Sequence, residues 1–233
     1  MRKIHGSLCI LLLLYACEQK KPAGWIDYER LANQDSKDWL TLGGNQMMQH
    51  YSPLNAINKS NVKDLGFAWE YDASTYIGNV PRGLEATPIV VDGMMYTSGA
   101  WGAVYALDAK SGKELWAYKP NVDASYGRRA CCDVVNRGVA VWEGNVYVGT
   151  LDGYLVCLDA QNGNQLWRVD TFTDRTKGYT ITSPPQVAGN IVMIGNSGGE
   201  YGVRGYVTAY DLKTGEYKWR FWMVPGEPSK GYE

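Results

Sequence analysis

Ala106-Leu107-Asp108-Ala109-Lys110-Ser111-Gly112-Lys113-Glu114-Leu115-Trp116 is the stretch on which the reading of this chain turns. Its frame, Ala-x-Asp-x-x-x-Gly-x-x-x-Trp, returns at Ala209, Asp211, Gly215 and Trp219. Between them it occurs once more at Cys157, Asp159, Gly163 and Trp167, with Cys in place of Ala. The copies start 51 and 52 residues apart. Ahead of each lies an alternating apolar stretch with its own turn: Ile89 to Tyr96 around Asp92-Gly93, Val139 to Val148 around Glu143-Gly144-Asn145, and Gln186 to Ile194 around Gly189-Asn190. Alternation broken by such turns predicts hairpins, and Asp-x-x-x-Gly before the Trp predicts a further turn into a last strand. Each period therefore holds about four short strands, the signature of a propeller blade. The small residue lets backbones approach, the Gly supplies a positive φ, and the indole wedges between one blade and the next. These tryptophans are scaffold rather than a ligand cage.

The fold class that follows is all-β, the N-terminal part of an eight-bladed propeller, about three to four blades. Upstream, Phe67-Ala68-Trp69-Glu70-Tyr71 reads as a lone strand able to complete another blade, since propellers close by joining their chain ends. Composition agrees with a packed core: of 233 residues 45% are hydrophobic, with 9 Trp and 17 Tyr, enough apolar surface to offset the entropy of ordering the backbone. The formal charge is −1 and no run of Lys or Arg exceeds two residues, which gives no footprint for nucleic acid or a polybasic membrane patch.

The N-terminus reads as an address. Arg2 and Lys3 precede an apolar run from Leu8 to Ala16, too short to span a bilayer but right for the core of a secretory signal. Leu14-Tyr15-Ala16-Cys17 resembles a bacterial lipoprotein cleavage box, so residues 1–16 are expected to be a signal with Cys17 as the first, lipidated mature residue. The expected location is the periplasm of a Gram-negative bacterium, with membrane contact only through that lipid. Residues 17–37 are expected to form a tether and lead-in segment, and 38–233 a partial propeller.

Two features exceed what a scaffold needs. Cys131 and Cys132 are adjacent. A disulfide between neighbours closes an eight-membered ring with the α-carbons about 3.8 Å apart, under the usual disulfide range. It crosslinks almost no chain, so its use would lie in shape or reactivity; the alternative is a pair of free buried thiols. Cys157 has a plain explanation in a blade position that is Ala in both other copies. The third repeat is longer. From hairpin glycine to small residue there are 13 steps in the first two copies and 20 in the third, the surplus lying in Gly195-Asn196-Ser197-Gly198-Gly199-Glu200-Tyr201-Gly202-Val203-Arg204-Gly205. A glycine-rich insertion with one carboxylate lets amides approach a ligand and can ligate a hard cation, although a hairpin tip with a solvated Glu looks the same.

Together these motifs resemble the pyrroloquinoline quinone (PQQ)-dependent alcohol dehydrogenases, the methanol and ethanol quinoproteins. The likeness runs from about Asp38 to the last residue. It is carried by Asp38-Trp39, Gly43-Gly44-Asn45 and Tyr51-Ser52-Pro53-Leu54, by Cys131-Cys132-Asp133 with Arg137-Gly138, and by Ser197-Gly198-Gly199-Glu200 with Gly202-Val203-Arg204-Gly205. The resemblance implies a vicinal disulfide of Cys131 and Cys132 lying flat against the quinone, with Arg137 donating to its oxygens. It implies Glu85 and Thr182 as partners of its carboxylates and ring atoms, Ser197, Gly198 and Gly199 beside them, and Glu200 as a ligand of calcium, or of a lanthanide. Arg204 is expected to make a structural pair. The reaction implied is oxidation of a primary alcohol to an aldehyde by hydride transfer to PQQ, with a periplasmic cytochrome c as electron acceptor. The family's base, an Asp, is expected beyond Glu233, so no catalytic base is assigned here and this chain is expected to be a fragment inactive alone. The alternative is a non-catalytic, lipid-anchored propeller scaffold of the outer membrane, which explains neither the Cys pair nor the long third repeat.

Overall fold

The computed structural model describes residues 21–73, 77, 83–226 and 229; the signal and lipidation readings at residues 1–17 lie outside them. Three four-stranded antiparallel sheets follow one another along the chain, each in the order of its sequence. The first holds β1 (Ile89–Val91), β2 (Met94–Ser98), β3 (Val104–Asp108) and β4 (Glu114–Tyr118). The second holds β5 (Ala140–Trp142), β6 (Asn145–Gly149), β7 (Tyr154–Asp159) and β8 (Gln165–Asp170). The third holds β9 (Gln186–Ala188), β10 (Ile191–Gly195), β11 (Tyr206–Asp211) and β12 (Tyr217–Trp222). Four strands per period is what the repeat predicts.

The repeat is also a repeat of register. Ala106, Cys157 and Ala209 stand opposite Trp116, Trp167 and Trp219, and in every sheet the register shifts immediately after the small residue. The cause is the following turn. Asp108, Asp159 and Asp211 each accept two backbone amides through one carboxylate oxygen, the Asx geometry that reverses a chain in few residues. The glycine closing each turn sits at φ 71, 73 and 71. At the other turns Asp92 and Gly93, and Glu143 and Gly144, are paired at positive φ, the I′ geometry whose twist matches the strands it joins.

Blades meet through the tryptophans. The Trp116 ring lies where a side chain on Gly163 would be, 2.5 Å from an added Cβ, and its Nε1 donates to Ala160 O at 3.0 Å. Trp167 repeats this on Gly215 and Leu212 O, at 2.9 and 3.1 Å. A tyrosine doubles each bond: Tyr96 Oη donates to Ala160 O and Tyr147 Oη to Leu212 O. Cys157 is buried among these contacts, and burial pushes its thiol up to about 12. Trp69 stacks over Gly112 in the same way, yet residues 67–71 form no strand. The sequence expectation is corrected here: alternation confers a tendency, but a strand needs a ladder partner, and among the described residues this segment has none.

Residues 24–44 run across the hairpin tips of all three sheets. Glu143 N donates to Ile26 O and Gly144 N to Gly24 O, Gly189 N donates to Tyr28 Oη, and Trp39 pairs with Val90. Arg30 grips Asp92 with two bonds and the buried Asp38 with a third, at 2.7 to 2.9 Å. A one-turn helix, α1 (Tyr28–Ala32), begins in this strap because Asp27 caps it, accepting from Arg30 N at 2.8 Å. Ile26 and Leu40 anchor it, each at most 2% exposed. The lead-in is thus a clasp on the turn end of the sheets, with the opposite strand ends left for the site.

Candidate functional site

At those opposite ends the chain passes from β4 to β5, from β6 to β7, from β8 to β9 and from β10 to β11. Three of these connections, β4 to β5, β8 to β9 and β10 to β11, are long and converge, which is how residues far apart in sequence meet. Cys131, Cys132, Arg137, Thr182, Ser197, Gly198, Gly199 and Glu200 line one open hollow of about 300 Å³, together with Thr180. Glu85 joins them through Arg137, whose Nη2 lies 3.0 Å from its carboxylate.

The segment carrying Arg137 is stitched to all three blades. Val134 O accepts from Trp101 N of the first at 2.8 Å, and Arg137 N donates to Thr182 O, ahead of the third, at 3.0 Å. Asn136, 2% exposed, donates from Nδ2 to Gly149 O of the second at 2.8 Å and accepts from Gly138 N at 3.1 Å. Arg137 Nη1 donates to Thr182 Oγ1 at 2.7 Å, and that hydroxyl lies 3.1 Å from Ser197 Oγ. Arg137 and Glu85 keep 39% and 44% of their side-chain surface exposed, so their pair contributes little stability, ~0–1 kcal/mol. Its effect is to aim the guanidinium.

The connection before Arg137 rests on a second apolar cluster of Ala100, Trp101, Val122, Val134 and Leu151. It holds Cys131 and Cys132 at the surface, both exposed, as thiols whose sulfurs stand 2.8 Å apart. The bond that the resemblance implies is not formed in the structure, and the thiols are not buried. Hydrogen bonding to Cys132 first, and to Glu200 second, pushes the Cys131 thiol up to about 12. The same thiol holds the Glu200 carboxyl below its ordinary value.

The insertion in the third blade is organised by Asn196. Its Oδ1 accepts from Tyr206 N at 2.8 Å and its Nδ2 reaches Ser197 O at 3.3 Å, closing the base of the loop. Ser197 and Thr180 exchange two backbone bonds, and Gly199–Tyr201 form a single 3-10 turn between Gly198 at φ 113 and Gly202 at φ 72. A Cβ on Gly198 would stand 2.4 Å from Gly178 O, so this approach requires glycine. Arg204 makes the structural pairing expected of it, lying 4.0 Å over the Trp222 ring and donating to Val224 O at 3.0 Å. Asn136 and Asn196 were missed by the sequence reading. The one signal available was that each abuts a motif already singled out.

The hollow is lined by one guanidinium, three hydroxyl residues, two thiols, glycine backbone and one carboxylate. That donor set suits a flat, anionic, carboxylate-bearing ring. For a hard cation, which takes six to eight oxygens, Glu200 is a beginning: among the described residues no three His, Cys, Asp or Glu gather into a metal site.

A family model described as the beta-propeller domain of glucose, ethanol and alcohol dehydrogenases using PQQ matches residues 39–233. A quinohemoprotein alcohol dehydrogenase of Comamonas testosteroni is 50% identical over 207 residues, 89% of this chain and 28% of that protein. The solved structure of quinohemoprotein alcohol dehydrogenase ADHIIG from Pseudomonas putida HK5 aligns with a TM-score of 0.84 at 50% identity, covering 90% of this chain and 30% of that one. A europium-containing methanol dehydrogenase aligns with a TM-score of 0.77 at 40% identity, over 86% and 34%. The chain spans about a third or less of the length of these proteins.

Proposed function

The chain belongs to the PQQ β-propeller family of glucose, ethanol and alcohol dehydrogenases, and from that membership we propose that its hollow is one wall of a quinoprotein alcohol dehydrogenase site. The reaction is oxidation of a primary alcohol to its aldehyde. The single observation that carries this reading is the convergence of eight motif residues, spread from Cys131 to Glu200, on one hollow. The scaffold alternative gives no reason for that convergence.

When bound, PQQ supplies the hydride acceptor, and calcium or a lanthanide the Lewis acid. Arg137, steadied by Thr182 and Glu85, would donate to the quinone oxygens and favour the charge that develops there. Thr182 and Ser197 hydroxyls, with the Gly198-Gly199 backbone, would orient the ring and its carboxylates. Glu200 would give one oxygen ligand to the cation. Cys131 and Cys132, joined as a disulfide once a periplasmic thiol oxidant has taken their two protons and two electrons, would form a flat floor beside Glu200. Proton abstraction from the alcohol is assigned to no residue of this chain. A periplasmic cytochrome c, which takes electrons one at a time, would be the acceptor. A lipid on Cys17 would be attached seven residues ahead of the strap, whose own contacts lie on the turn end of the sheets, opposite the hollow.

The experiment is reconstitution of the whole reading frame that carries this chain. Alcohol-dependent dye reduction should need both PQQ and calcium or a lanthanide, and Glu200→Gln should raise the metal concentration required by tenfold or more, on the order of a lost charged ligand. Activity unaffected by chelation would overturn the assignment of Glu200. Residues 1–233 alone should neither bind PQQ tightly nor oxidise alcohols. Peptide mass analysis without reductant should find Cys131 and Cys132 joined in protein from the periplasm.

A further inference from the structure

We propose that Asn136 is the positioning residue that sets how Arg137 faces the quinone, an inference that rests on the reading of the hollow above. Arg137 itself is held on its far side by Thr182 and Glu85, which act on the guanidinium, while the backbone that launches it is held on one side by Arg137 N donating to Thr182 O and on the other by Asn136. Asn136 does this from both ends of one amide. Its Oδ1 accepts from Gly138 N at 3.1 Å, two residues on, which turns the chain around Arg137. Gly138 can follow because it sits at φ 136, a conformation closed to other residues. Its Nδ2 donates to Gly149 O at 2.8 Å, which pins that turn to the end of β6. Gly149 in turn lies hard against Ile181, whose Cγ2 would be 2.5 Å from an added Cβ, and Ile181 directly precedes Thr182. The amide therefore joins Arg137 to the end of β6 and, through Gly149 against Ile181, to the segment that carries Thr182, and with Asn136 only 2% exposed no water replaces it cheaply. An acid in its place would set a carboxylate against the Gly149 carbonyl, and an apolar residue would strand both Gly149 O and Gly138 N.

A positioning role differs from a merely structural one in a double-mutant cycle. PQQ affinity would be measured by quenching of tryptophan fluorescence in apoprotein from the whole reading frame, with thermal melting followed alongside. Asn136→Ala should weaken PQQ about tenfold, the size of one lost buried hydrogen-bond arrangement. In an Arg137→Ala background the same change should alter affinity by less than about twofold, because nothing is left to aim. Asn136→Ser keeps a short neutral acceptor within reach of Gly138 N, so it should fall between wild type and Asn136→Ala, and it carries the cycle if the alanine variant does not fold. Equal losses in both backgrounds, or a lowered melting point with unchanged PQQ affinity, overturn the proposal and leave the reading of the hollow standing. An Arg137→Ala protein that binds PQQ as wild type does overturns that reading and this proposal with it.

Discussion

Trp116 and Trp219 occupy the same register position in their sheets, each opposite an alanine and beside a register shift, yet Trp116 is 8% exposed and Trp219 41%. Nothing in either blade accounts for the difference. Trp116 meets a glycine, a carbonyl and a tyrosine, and two of those three belong to a blade other than its own. Around Trp219 the outer strand and the residue after it show Tyr217, Phe221 and Met223 more than half exposed. The motif therefore fixes where an indole stands, while the energy it contributes is a property of the pair of blades. The third blade also carries Met193 at the position, opposite Ala209, that is Tyr96 and Tyr147 in the others, so the doubled bond of the first two seams has no counterpart there.

The comparison breaks most directly at the indoles. Trp116→Ala should cost about 3–5 kcal/mol of stability in this chain, as for other buried tryptophans, whereas Trp219→Ala should change it by less than about 1 kcal/mol; denaturant midpoints at constant slope would check both. The receiving side gives the next effect. Gly163→Ala forces a Cβ against Trp116 at positive φ and should cost about 2–4 kcal/mol. Gly189→Ala, at φ 62 but with nothing within 4 Å, should cost only about 1–2 kcal/mol, the backbone part alone. Tyr96→Phe removes one of two bonds to Ala160 O and should cost about 1 kcal/mol; an equal loss from Trp116→Phe and Tyr96→Phe would mean the indole acts only as a donor.

The smallest effect belongs to the exposed ion pair at the head of the strap, Lys21 with Asp27. The Lys21 ammonium, hydrogen-bonded to Asp27, holds that carboxyl down at about 2. A depressed acid stabilises the fold above its unfolded value, near 4, and loses that contribution as pH falls through about 2. Asp27→Asn should flatten that part of the acid limb in melts taken between pH 4 and pH 2, with a small amplitude because Lys21 is largely solvated.

How much of this was legible follows from the range of each signal. The three blades were readable because Asp108, Gly112 and Trp116 act within one turn and recur, and Thr182, Ser197 and Glu200 meet because their motifs sit at strand ends that the blade pattern brings together. The strap was not readable: Ile26 and Leu40 are single buried residues in a polar stretch, with no period to betray them. Tyr96 and Tyr147 looked like any strand tyrosine, although they recur 51 residues apart. Asn136 and Asn196 act through geometry that a lone amide does not advertise. Residues 67–71 erred in the other direction, since alternation was present and a ladder was not.

The strap has a consequence in time as well as in space. Within a blade, neighbouring strands close over a handful of residues, but the bond from Gly189 to Tyr28 spans 161. Closing so large a loop has an entropic cost that is recovered only once all three hairpin tips already stand in place. The contact of the clasp with the third blade is therefore expected to form after the blades themselves. The amides of Glu143 and Gly144, which point into it, should then exchange with solvent well before those of β6 and β7, and in refolding their protection should mark the moment at which the three blades first stand together.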